Sequence, residues 1–149
     1  MDKGLTLLEL LLVIVIIGIL ATVGVPLLTT AKYNLSLKET TRSLMSFILL
    51  AKNKSAKGEK ISLDFSDAHE IKLCKGNNCY CDVAEYSFKI SNDIFLTSPL
   101  DCFVFDRGFP KHSSGAFAAE TITLRHAVTN KCFNITISRT GRIKINACE

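Results

Sequence analysis

Between Leu5 and Leu28 the chain carries one ionisable side chain, Glu9, and no basic residue follows it until Lys32. A run of that length and apolarity specifies a helix that crosses a bilayer. A carboxylate within such a helix costs at least about 2.5 kcal/mol on insertion, so Glu9 needs a partner or a task. The partner has to be a lipid headgroup, another protein, or an amino terminus created by cutting the chain beside Gly4. The last makes the best sense of the pattern. A cut after Gly4 would place an α-amino cation on Leu5, about one helical turn from Glu9, where a helix N-terminus already favours negative charge. A secretory signal peptide fits less well. Its apolar stretch is about 7 to 15 residues and ends at small residues, whereas this one runs on into Gly24-Val25-Pro26-Leu27-Leu28.

Beyond the span, Leu37, Leu44, Met45 and Ile48 recur at helical spacing between Lys38, Arg42, Ser46 and Lys52. This predicts an amphipathic continuation of the same helix, ending near Asn53, with one face for a globular domain. Gly24 and Pro26 predict a kink between the two halves. The chain has 149 residues, 48% of them hydrophobic, and the span inflates that fraction. What remains is enough for one modest core and no second domain. Six cysteines in so small a domain point away from a reducing cytosol and toward disulfides in an exported, oxidising compartment.

After the lysine-rich linker from Asn53 to Lys60 the pattern shortens to period two. Strands are predicted at Ile61 to Phe65, Glu70 to Cys74, Tyr86 to Ile90, Phe103 to Phe105 and Thr121 to Arg125. Asp106-Arg107-Gly108 reads as a turn, and Lys111 to Ala119, with Ser113-Ser114-Gly115, as a loop. Near the C-terminus Phe133, Ile135 and Ile137 alternate with polar residues, as do Ile143, Ile145 and Ala147. A three-residue loop, Arg139-Thr140-Gly141, with Gly141 left-handed, sets Ile137 opposite Ile143 and Ile135 opposite Ile145. The same register brings Cys132 level with Cys148, on the polar face beside Arg142 and Lys144. A Cys132–Cys148 disulfide would therefore close the hairpin, contributing about 3 kcal/mol in the chain-entropy model. Cys74 and Cys79 flank Lys75-Gly76-Asn77-Asn78, a predicted turn, leaving Cys81 and Cys102 to pair or exchange partners. The spacing is not a zinc pattern, so no metal is expected.

From Lys32 to Asp106 ten basic and ten acidic residues cancel, whereas from Arg107 onward seven basic residues face Glu120 and Glu149. The excess in the last third suits an acidic partner, DNA phosphates, or simply a solvated strand face. His69, His112 and His126 lie in unrelated contexts, and no phosphate-binding glycine loop or nucleophile motif occurs. Neither an enzymatic activity, nor a cofactor, nor a small-molecule substrate is expected.

The segment Lys3-Gly4-Leu5-Thr6-Leu7-Leu8-Glu9 resembles the type IV pilin-like signal shared by type IV pilins, type II secretion pseudopilins and competence pseudopilins. The resemblance implies that prepilin peptidase cuts between Gly4 and Leu5 and N-methylates Leu5. It also implies that Glu9 is the assembly glutamate, and Pro26 falls where many members have a helix-kinking proline. Phe103-Val104-Phe105-Asp106-Arg107-Gly108 and the ending Ile135-Thr136-Ile137-Ser138-Arg139-Thr140-Gly141-Arg142-Ile143 are similar to the GspH/FimT group of minor pseudopilins. That group implies an α+β, pilin-like fold, a long N-terminal helix packed on an antiparallel β-rich domain. The expected division is leader 1–4, membrane and assembly helix 5–28, amphipathic extension 29–53 and periplasmic domain 54–149. The implied partners are other pilins through the N-terminal helix, prepilin peptidase and an inner-membrane assembly platform. The implied location is the bacterial inner membrane, with later entry into a periplasmic fibre. FimT-like pilins of transformable bacteria are associated with DNA binding through Gly-Arg-x-Arg. Gly141-Arg142-Ile143-Lys144 keeps the charge at its last position but not the guanidinium fork, which makes Arg139, Arg142 and Lys144 the candidate contacts.

Overall fold

The computed structural model describes residues 6–77, 81, 83–112, 115–117 and 119–148; Gly4, Leu5, Cys79, Ser113 and Ser114 lie outside the described residues. Helix α1 (Leu7–Ala56) is one continuous rod, about 75 Å long at 1.5 Å per residue. Thr6 caps it in an extended conformation, its hydroxyl accepting from Glu9 N at 3.3 Å. The helix passes Gly24 and Pro26 without a break. Pro26 has no N–H to offer the preceding turn, while its carbonyl accepts the hydroxyls of Thr29 and Thr30 at 2.8 and 3.0 Å. Lipid-length apolar sequence and a locally weakened ladder thus share one rod.

The second half of α1 buries Leu37, Thr41, Leu44, Ile48, Ala51 and Ser55, alternating steps of four and three that keep one stripe against the domain. Met45 packs against the edge of this core. The rod ends one turn later than the sequence predicts, because Ser55 is held. Its buried Oγ accepts from Gly108 N at 3.1 Å, and Gly58 N closes onto Ser55 O at 3.0 Å. Gly58, at φ 98°, supplies the left-handed residue that stops the helix.

Two antiparallel sheets receive this stripe. In the first, the order is β3 (Tyr86–Lys89), β2 (Glu70–Lys75), β1 (Ile61–Asp64), β5 (Cys102–Asp106), β6 (Phe109–Lys111). In the second it is β4 (Ile94–Thr97), β7 (Glu120–His126), β8 (Cys132–Ile137), β9 (Ile143–Ala147). The helix touches β1, β5 and β6 of one and β7, β8 and β9 of the other. Between them lie Ile61, Leu63, Phe103, Phe105, Ile122, Leu124, Ile135 and Ile137, all fully buried, with the Phe103 and Phe105 rings edge-to-face at 5.0 Å.

Strands β4 and β6 are absent from the sequence reading. Ile94–Thr97 is only four residues between Asp93 and Ser98-Pro99, and β6 contains Pro110, tolerated because β6 is an edge strand. The β5–β6 connection is a two-residue turn, Arg107 at φ 52° and Gly108 at φ 80°, the pair of left-handed residues that matches strand twist. At β8–β9 the register pairs Ile137 with Ile143 and Ile135 with Ile145. Cys132 and Cys148 close the open end of that hairpin as a disulfide, Cα–Cα 5.5 Å. Cys74 bonds to Cys81 rather than across the Lys75 to Asn78 turn, with Cα–Cα 6.0 Å, tying the end of β2 to the segment before β3. Cys102 is disulfide-bonded as well.

A candidate assembly helix and a basic turn cluster

Every large hydrophobic side chain described from Leu7 to Leu28 is exposed, and this part of α1 is long and apolar enough to cross a bilayer with none of it buried against the chain. Leu7 to Leu28 measures about 33 Å along the axis, close to the hydrocarbon thickness of a membrane. At its start Thr6-Leu7-Leu8-Glu9 has the spacing of a capping box, with threonine as N-cap and glutamate three residues into the helix. The sequence reading valued Glu9 for its charge alone and missed the helix start that the Thr-x-x-Glu spacing announces. Glu9 is exposed, and among the described residues no cation pairs with it. The rod presents an apolar surface with one carboxylate, and among the described residues nothing covers either.

The opposite end of α1 gathers two turns from different sheets. Lys52 Nζ donates to Gly141 O at 2.8 Å, while Ser55 receives Gly108 N. A Cβ on Gly141, which has φ 76°, would stand 2.8 Å from Gly108 O, so the two turns touch backbone to backbone. Only glycine fits both the conformation and the space. The turns display Arg107 and Arg139 to solvent. Arg142, just before edge strand β9, and Lys144 on it follow, exposed and alternating with Ile143 and Ile145, which pack on the core. Ser138 Oγ accepts from Arg142 N at 3.0 Å and holds the strand start. The structure therefore assembles Arg139, Arg142 and Lys144 on one end and edge of the second sheet, where no ion pair among the described residues neutralises them. Arg107 and Lys52 join this cluster only through the fold.

Beside it, Phe109 of β6 and Phe117, which bridges to Lys111, form an aromatic pair, 47% and 58% exposed, with rings edge-to-face at 6.2 Å. Lys111 lies over Phe117 and bonds Asp106 at 2.7 Å, a contact that holds the Asp106 carboxyl below its ordinary range. On the helix flank Lys54 pairs with Glu85, which raises the lysine above its usual value. Glu120 is buried at the start of β7; desolvation raises its pKa, against the opposing bond from Ser98 Oγ at 3.3 Å. His126 is 1% exposed, and its Nδ1 accepts from Val128 N and Thr129 N at 3.2 and 3.4 Å. His69 lies against Phe95, ring centroids 5.8 Å apart.

Residues 1–25 match the prokaryotic N-terminal methylation motif, the mark of prepilins. The helix-and-sheet body matches two solved structures over three quarters of this chain. One is the type IV minor pilin FimU of Pseudomonas aeruginosa: TM-score 0.59, 11% identity, covering 76% of this chain and 92% of that one. The chain is pilin-like. The other structure is the minor pseudopilin EpsH from the type 2 secretion system of Vibrio cholerae, with TM-score 0.56 and 12% identity, covering 75% of this chain and 97% of that one. At such identities the likeness concerns fold alone. No curated protein matches the chain. In this pilin-like protein the motif accounts for residues 1–25, and the fold for the packed half of α1 and the two sheets.

Proposed function

We propose that the chain is a minor pilin or pseudopilin, cut between Gly4 and Leu5 by prepilin peptidase, methylated on Leu5, and built from the inner membrane into a type IV or type II secretion fibre. The observation that carries this reading is the bare apolar half of α1, joined to a fully packed domain and headed by Thr6 and Glu9. In the anchored chain lipid covers that surface. In a fibre the same surface packs against neighbouring subunits, with Glu9 meeting the Leu5 amine of an adjacent copy. The disulfides suit a periplasmic domain, the names of the two similar structures suit a minor subunit, and the inner-membrane platform is the partner that loads it. Co-expression with a prepilin peptidase tests the first step by intact mass. The expected product lacks residues 1–4 and carries one methyl group, and Gly4→Leu abolishes the change. Equal masses with and without the peptidase would overturn the reading.

A second reading, DNA capture by the fibre, is supported by the exposed Arg142 and Lys144 at the start of edge strand β9, close in the chain to Arg139. Fluorescence anisotropy of labelled duplex with the full chain in detergent checks it. If phosphates bind there, Arg142→Ala with Lys144→Ala lowers the salt slope of log K by about 2. An unchanged slope, or no binding at 50 to 200 mM salt, roughly the range over which such contacts act, sinks it.

A further inference from the structure

Because α1 is unbroken, heights in the domain can be measured from the lipid-facing half, and this inference rests on reading residues 7–28 as a span. Tyr33 stands five residues beyond Leu28, about 7.5 Å along the axis, within the headgroup layer of a bilayer. Tyrosine favours that layer. Its ring lies 4.8 Å from the ring of His126, the last residue of β7. The β7–β8 turn, residues 127–131, is thereby placed level with Tyr33, at the end of the domain nearest the membrane.

This turn is firmly built. His126 Nδ1 gathers Val128 N and Thr129 N, His126 O accepts from Asn130 N at 3.0 Å, and Ala127 N bonds Asp93 O at 2.9 Å. The rigid turn nonetheless offers an apolar side chain to solvent, Val128, 66% exposed. Exposed cations flank it: Lys131, Lys32 on the helix, and Arg125, whose guanidinium donates to Asn130 Oδ1 at 3.0 Å. Three exposed carboxylates, Asp67, Asp93 and Asp101, lie on the loops of this end, whereas the cations are carried on the helix and the β7–β8 hairpin, nearest Val128.

We infer that the β7–β8 turn is a membrane seat: in the anchored chain Val128 enters the headgroup layer of an anionic phospholipid surface, with Arg125, Lys131 and Lys32 on lipid phosphates. An apolar tip ringed by cations, continuous with the anchor, matches that surface and is wasted in bulk water. The seat fixes the domain's tilt before assembly and has to lift off when the subunit leaves the bilayer.

The chain contains no tryptophan, so one introduced residue reports cleanly. Full-length Val128→Trp in nanodiscs of phosphatidylethanolamine and phosphatidylglycerol should be quenched by a headgroup nitroxide lipid. Phe117→Trp, beside the far turn, should not. Leu20→Trp, quenched by acyl-chain bromines, verifies the span independently. Arg125→Glu with Lys131→Glu should at least halve the quenching of Val128→Trp. If Leu20→Trp is quenched but Val128→Trp behaves like Phe117→Trp, the seat is wrong while the span stands. If Leu20→Trp escapes quenching, the span reading fails and the seat with it.

Discussion

Glu9→Ala is expected to leave the chain cut after Gly4 and anchored, yet to lower its incorporation into fibres at least tenfold. Removing the carboxylate relieves an insertion cost, which reaches about 2.5 kcal/mol at a helix centre and is smaller in the first turn, so the anchored form gains stability. Assembly loses the one charge on the apolar rod that can select axial register, and a loss of about 1.4 kcal/mol already means a tenfold deficit. Glu9 also holds the glutamate position of a Thr-x-x-Glu spacing whose Thr6 hydroxyl accepts from Glu9 N, so loss of helix start and loss of charge must be separated. Glu9→Gln does this, because glutamine keeps the cap while discarding the charge. The fibre-to-membrane ratio in sheared fractions should fall for both variants. Normal incorporation of Glu9→Ala would remove the assembly role, and normal incorporation of Glu9→Gln alone would transfer it to the cap.

Gly141→Val should destabilise the domain by at least about 3 kcal/mol, combining a left-handed backbone that a β-branched residue resists with a steric conflict. At φ 76° the new Cβ meets Gly108 O at 2.8 Å, and both partners of that contact are backbone. The turns must separate, loosening Lys52 from Gly141 O and Ser55 from Gly108 N. For a domain of this size the melting temperature should fall by about 12 °C or more by circular dichroism. Gly58→Val is the control, since Gly58 has φ 98° but nothing near its Cβ direction. Equal melting shifts for the two variants would show that the turn contact contributes nothing.

The legible parts of the fold were those written in local periodicity. The stripe from Leu37 to Ile48 identified the packed half of α1, and strict alternation around Arg139-Thr140-Gly141 specified the β8–β9 register that sets Cys132 beside Cys148. What stayed hidden depends on contacts between distant residues. Pairing of β1 with β5 and of β4 with β7 divides the strands into two sheets, and no short window carries that information. Pro110 disguises β6, and the partner of Cys74 is chosen by where the chain returns after residue 77 rather than by the nearest cysteine. The site follows the same division. Glu9, Arg142 and Lys144 stood out as charges, whereas the approach of the turn that carries Arg107 to the turn that carries Arg139 exists only because Ser55 and Lys52 hold two unrelated turns.

Continuity of α1 makes it a shaft that keeps angular phase. Each residue advances the azimuth by about 100° and the height by about 1.5 Å, so in the proposed fibre the number of residues between Glu9 and Leu37 would decide which way the β9 edge points relative to Glu9. One residue more or fewer along that stretch would swing Arg142 and Lys144 by more than a quarter turn while leaving the core of the domain intact. Spacing along the rod is thus a specification of outward bearing, and substitutions within it are tolerable in a way that insertions are not.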